Sequence, residues 1–187
     1  MSGGGQKRLI SILSIVLLTF LYAYYHKSVY RDFFLIKNDP ILKELPSTLV
    51  KDIKNNEFNI RSLINQKNGG LVHFWGTWCA PCEEELPSFI NLARPYEKKG
   101  IIFLLLAVKD NPKKVKRFLS RFSNLPKNIV LALDEQDSSM EKFGTLKVPE
   151  TYMFDKKGQI LKKFIGPQDW DNRYFTEKIN HYLIDNH

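Results

Sequence analysis

Phe74-Trp75-Gly76-Thr77-Trp78-Cys79-Ala80-Pro81-Cys82 is the stretch that decides the fold of this chain. Upstream, Leu71–Trp75 is a compact apolar strand that stops at Gly76. Downstream, Leu86, Phe89, Ile90 and Ala93 recur at helical spacing, with Pro87 expected to kink that helix. The cysteines therefore fall where a buried strand turns into a helix. Unpaired N–H groups and the partial positive charge of a helix start stabilise a thiolate at Cys79. Cys82, one turn deeper, is placed to attack a mixed disulfide formed on Cys79 and release the product. A two-residue spacer puts both sulfurs within bonding reach, so the pair can switch between dithiol and disulfide. Half a zinc site is the weaker reading: there is no second C-x-x-C and no H-x3–5-H among His26, His73, His181 and His187. No metal site is expected.

Working outward, the chain alternates short strands and helices, the mark of an α/β sandwich. Thr48–Val50 and Glu57–Ile60 are candidate strands. Ile101–Val108 is a continuous apolar run of the kind buried on both faces. Asn111 and Pro112 read as N-cap and first residue of a helix whose Val115, Phe118, Leu119 and Phe122 recur at i, i+3, i+4 and i+7. Ile129–Leu133 is another strand, followed by a short helix around Ser138–Phe143. Thr151–Phe154 and Ile160–Phe164 flank Lys156-Lys157-Gly158 as an antiparallel hairpin. Asp169 is expected to cap a final helix that turns Phe175, Ile179, Tyr182 and Leu183 to the core.

Phe74–Cys82, followed by Glu85 and Pro87, resembles the TlpA/ResA group of membrane-tethered thioredoxin-like proteins, which includes cytochrome-c-maturation reductases. The stretch Val148-Pro149-Glu-Thr-Tyr-Met-Phe-Asp-Lys-Lys-Gly158 matches that group's cis-proline loop, strand and turn. The resemblance covers roughly residues 47–187. It implies a thioredoxin fold with an extra central βα insertion and an N-terminal hairpin, because two strand–helix units separate the cysteine helix from Pro149 where a minimal thioredoxin fold has one. It further implies that Val148–Pro149 is cis and lies beside Cys79, where backbone can pair with a client segment as an added strand. Cys79 and Cys82 are then the catalytic pair, and Trp78, Ala80, Pro81 and Val148 the client-facing rim. The resemblance implies no cofactor.

Two further residues carry open alternatives. Glu85 lies one turn beyond Cys82 and matches the group's acidic residue near the active site. It is placed to tune the thiols or shuttle a proton, and equally to serve as a first-turn carboxylate on the helix dipole. His73 lies six residues before Cys79, where thioredoxin proper has a buried acid. An imidazole there can accept the Cys82 proton during resolution or be a hydrogen-bonded core histidine. Trp75 reads as core.

At the N-terminus, Leu9 to Tyr25 is a charge-free run, roughly 25 Å long as a helix, after a polar tail of residues 1–8. Tyr22, Tyr24 and Tyr25 cluster at its far end, as at a membrane interface. No A-x-A-like cleavage site follows, so residues 9–25 are expected to be an uncleaved transmembrane anchor. Residues 26–46, interrupted by Pro40 and Pro46, read as a stalk and adaptor before the domain at 47–187. Lys7 and Arg8 before the span nearly balance His26, Lys27 and Arg31 after it, so the charge pattern leaves orientation open. Disulfide chemistry instead puts the domain on the extracytoplasmic side of a bacterial cytoplasmic membrane.

The net charge of +8 favours anionic partners. Yet its densest cluster, Lys113, Lys114, Lys116, Arg117 and Arg121, is the solvated face of the amphipathic helix, and no nucleic-acid partner is expected. The expected partners are a disulfide-containing extracytoplasmic client, apocytochrome c being one class the resemblance suggests, and a membrane thiol-electron donor. Three alternative activities compete with a reductase. An oxidase or isomerase would use the same cysteines, and the Ala80-Pro81 spacer does not set the direction. A copper or haem chaperone would want methionine- or histidine-rich tracts that are missing. A peroxiredoxin would need Thr where Gly76 stands.

Overall fold

Strands form where the sequence is apolar on both faces, and their alternation sorts the side chains into two cores. In β3 (Gly70–Trp75) and β4 (Ile102–Val108) every residue is buried. Leu71 and Trp75 of β3, with Phe103, Leu105 and Ala107 of β4, pack on one face of the sheet. Val72 and Phe74, with Ile102, Leu104, Leu106 and Val108, pack on the other. The structure, a computed structural model, describes residues 12–24, 42–66, 68–135 and 138–185.

Among the described residues seven strands form one sheet, in the order β2-β1-β5-β4-β3-β6-β7. β1 (Leu49–Asp52) and β2 (Glu57–Asn59) form the N-terminal hairpin, and β1 runs antiparallel to β5 (Ile129–Asp134). β3, β4 and β5 are parallel to one another. β6 (Glu150–Phe154) returns antiparallel beside β3, with β7 (Ile160–Ile165) at the edge.

Helix α1 (Ala80–Ala93) contains Pro87 and buries Cys82, Glu85, Leu86, Phe89 and Ile90. It shares one core with α2 (Pro112–Leu119) and α4 (Arg173–Asn180), while α3 (Ser138–Phe143) adds Phe143 to the other. The β4–α2 and β5–α3 units stand between α1 and Pro149, the two that the sequence indicated. Asn111 caps α2, its side chain accepting from the Lys113 N–H at 2.9 Å. Asn172, not Asp169, caps α4, accepting from the Tyr174 N–H at 3.0 Å. The reason is Trp170: its burial in the core pins the chain, and the helix starts only after it.

The chain divides into two compact units, Met1–Asp39 and Pro40–His187. Leu45, within the stretch read as adaptor, is fully buried against the sheet, and Glu44 bridges to Gln159. Residues 12–24 are helical, with exposed apolar side chains such as Leu18 and Phe20. Among the described residues no helix is long and apolar enough to cross a membrane. The rest of the 9–25 run, and most of 26–46, lie outside the described residues.

Candidate active site

The strand-to-helix turn is held from below before it presents any sulfur. Asp110, in the β4–α2 loop, accepts from the Thr77 N–H at 2.5 Å and the Thr77 hydroxyl at 2.9 Å. Trp78 Nε1–H donates to the Val108 carbonyl at 3.1 Å, leaving the ring 55% exposed beside the cysteines, whereas Trp75 is fully buried. Cys79 is the N-cap of α1 and Pro81 stands in its first turn. Cys79 and Cys82 are joined in a disulfide. Cys82 is fully buried and Cys79 is 6% exposed, so Cys79 is the sulfur a client can reach.

Val148–Pro149 is cis. The β3–β6 ladder begins at Glu150, so Val148 lies outside it, and Leu146 just before is 91% exposed. Glu150 itself turns to the opposite face, where Lys163 Nζ is 3.0 Å from its carboxylate and Tyr152 donates to it at 3.3 Å.

Glu85 and His73 meet beneath the helix. His73 shares the face of Leu71 and Trp75, a polar residue at a core position, and is fully buried, stacked on Phe89 at 4.6 Å. Its Nδ1 is 2.8 Å from the hydroxyl of Thr151, its cross-strand partner. Its Nε2 faces Glu85 Oε1 at 3.6 Å, and neither atom has another hydrogen-bond partner. Glu85 Oε2 accepts from the Gln168 N–H at 2.7 Å and from Trp170 Nε1–H at 3.0 Å. Burial pushes the Glu85 carboxyl up to about 7, against the pull of those two donors. Burial likewise pushes His73 down to about 3. Both directions favour the uncharged forms. Ala80 and Pro81 form the first turn between the sulfurs. An open groove runs from Pro81 past Glu84 and Glu85 to Gln168, Asp169 and Asp171, and among the described residues no lysine or arginine lines it.

Asp110, Thr151, Gln168 and Trp170 escaped the sequence reading. Thr151 becomes visible only once the register sets it opposite His73, and the loop 167–170 gives no periodic signal.

The family profile described as Redoxin matches residues 43–179. The chain belongs to the Redoxin family. It is similar to the thiol-disulfide oxidoreductase ResA of Bacillus thuringiensis, 29% identical over 142 residues covering 75% of this chain and 79% of that one. Its likeness to the ResA of Geobacillus thermodenitrificans is also 29%, over 86% of this chain and 89% of that one. Among solved structures, StoA from Bacillus subtilis superposes with a TM-score of 0.56 at 24% identity, covering 71% of this chain and 96% of StoA. A thiol:disulfide interchange protein from Bacteroides sp. gives 0.61 at 21% identity over 78% and 93%. These two likenesses show the fold. This Redoxin-family chain is a thioredoxin-like thiol:disulfide oxidoreductase of the ResA/TlpA type, with Cys79 and Cys82 at disulfide distance.

Proposed function

We propose that this protein is a reductase of extracytoplasmic protein disulfides, held to the bacterial cytoplasmic membrane by the apolar segment 9–25. The Cys79 thiolate attacks one sulfur of the client disulfide, giving a mixed disulfide and one client thiolate, which takes up a proton. Cys82 then attacks Cys79, loses its proton, and expels the second client thiol. Two electrons and two protons have passed to the client, and the Cys79–Cys82 disulfide is left. A membrane dithiol donor returns it to the dithiol.

The observation that carries the direction is the charge around the pair. A strongly oxidising pair owes its potential to a stabilised thiolate in the reduced form. Here the helix start lends Cys79 partial positive charge. The groove beside Pro81 is lined by the acidic Glu84, Asp169 and Asp171. Such surroundings favour thiols over thiolates, and so a reducing pair. Trp78 and Val148, on either side of Cys79 in this reading, receive the client, whose segment adds to the backbone before Pro149. Apocytochrome c haem-site cysteines are one client class consistent with the likeness to ResA.

The test is turnover. Full-length protein in detergent, reduced beforehand, is mixed with a disulfide-bonded C-x-x-C-H peptide and the thiols released are counted. Two per protein are expected from the native chain and none from Cys79→Ser. If instead the oxidised protein drives reduced peptide to disulfide, the reductase reading fails.

A further inference from the structure

His73 Nε2 and Glu85 Oε1 are two buried atoms, 3.6 Å apart, that lack any other partner. A proton shared between them would give each a partner once the gap closes by a few tenths of an ångström. The other edge of each group decides which way it points. Glu85 Oε2 already takes two N–H donors, so the carboxyl is anchored through that oxygen and Oε1 is left to turn toward the imidazole. His73 Nδ1 has the Thr151 hydroxyl, an acceptor for an Nδ1–H.

We infer that His73 is a positioning residue for Glu85: its Nε2 accepts the proton of a neutral Glu85 carboxyl, so the group one turn beyond Cys82 stays uncharged while the cysteines cycle. The inference rests on the cysteines being the redox pair. It gives His73 a role exerted through Glu85 rather than on Cys82. A carboxylate at Glu85 would oppose the Cys82 thiolate needed for resolution, since positions three apart on a helix are neighbours. A neutral acid does not.

The surroundings agree from each side. On α1 the nearby charged group is the exposed Glu84, and the disulfide is neutral and does not titrate. From the loop before α4 come Gln168 and Trp170 as donors, with Asp169 and Asp171 exposed at the groove. From β6, Thr151 is uncharged, and Glu150 with Lys163 faces the far side of the sheet. Phe89 closes the last side. Among the described residues no lysine or arginine lines the groove to oppose a neutral Glu85.

The experiment reads the proton directly. Full-length protein, oxidised, in detergent and labelled with 15N-histidine, is compared with His73→Gln to assign the ring. At about pH 5, between the Glu85 and His73 values, the His73 nitrogens should report Nδ1 protonated and Nε2 bare. An infrared carboxylic-acid band should be present and vanish in Glu85→Gln. A protonated Nε2, or no such band, would overturn the inference. A second arm follows alkylation of reduced Cys79 by iodoacetamide against pH. Thr151→Val removes the acceptor that holds the tautomer and should raise the apparent thiol pKa by about one unit. In a Glu85→Gln background the same change should have no effect. An equal shift in both backgrounds, or none in either, would show that His73 does not act through Glu85. Failure of Cys79 to react in the native chain would strike the redox reading alone, because the tautomer is read in the oxidised protein.

Discussion

A carboxyl that burial pushes up to about 7, facing a histidine that burial pushes down to about 3, fixes a pH window for the oxidised protein. Glu85 is raised above its unfolded value of 4.5, so its stabilising contribution is full below that value and is lost as pH rises toward 7. His73 is depressed from 6.5, so its contribution is full above that value and is lost as pH falls toward 3. The two slopes oppose each other between the unfolded values, giving a plateau on the mildly acidic side. Glu85→Gln is isosteric with the neutral acid: its carbonyl can accept from Gln168 and Trp170 while its amide donates to His73. Denaturant melts should therefore find Glu85→Gln equal to the native chain near pH 4.5. At about pH 8 it should be more stable, by on the order of 3 kcal/mol. Equal stability at both pH values would mean Glu85 is ionised and paired in the fold. A second residue-scale expectation concerns Lys163, largely buried against Glu150 at 3.0 Å. Lys163→Met leaves that carboxylate buried and unpaired and should cost about 3 kcal/mol in the same assay, a loss that adding Glu150→Gln should largely recover.

At the scale of elements, the turn that carries Cys79 is braced by a loop rather than by its own helix. Asp110→Ala removes both bonds to Thr77 and should lower the rate at which reduced Cys79 reacts with iodoacetamide, leaving α1 intact by circular dichroism. An unchanged rate would show that the turn holds its shape unaided. The elements themselves were largely legible in the sequence. The apolar run of β4, the cysteines at a strand–helix junction and Asn111-Pro112 are local signals, and local signals survive into the fold. The cap of α4 was misread because Asp169 and Asn172 are both competent caps, and only the burial of Trp170 selects between them. The braces were not legible either. Asp110 to Thr77, and Thr151 to His73, are contacts across sequence separations of 33 and 78, made by side chains whose types announce no partner.

For the molecule as a whole, the unit Pro40–His187 begins before the residues that the sequence assigned to its domain. Leu45 is fully buried, and Arg61 reaches back to the Leu45 carbonyl at 3.2 Å and to Glu44 at 2.9 Å. A chain starting at residue 40 should melt as the full chain does. One starting at residue 47 should lose about 2–4 kcal/mol, because a core leucine and its surroundings are removed. Equal stability of the two truncations would show that Leu45 fills no needed space. The central claim is that Cys79 and Cys82 form a reducing redox couple, and one titration bears on it most directly. Full-length protein in detergent is equilibrated against graded dithiothreitol buffers while tryptophan fluorescence, from Trp78 at the rim and Trp75 in the core, reports the state of the pair. The account predicts a reversible two-electron transition, lost in Cys79→Ser, with a midpoint at or below about −230 mV. A midpoint near about −120 mV would make the protein an oxidant, and a folded protein with no transition at all would contradict the redox assignment itself.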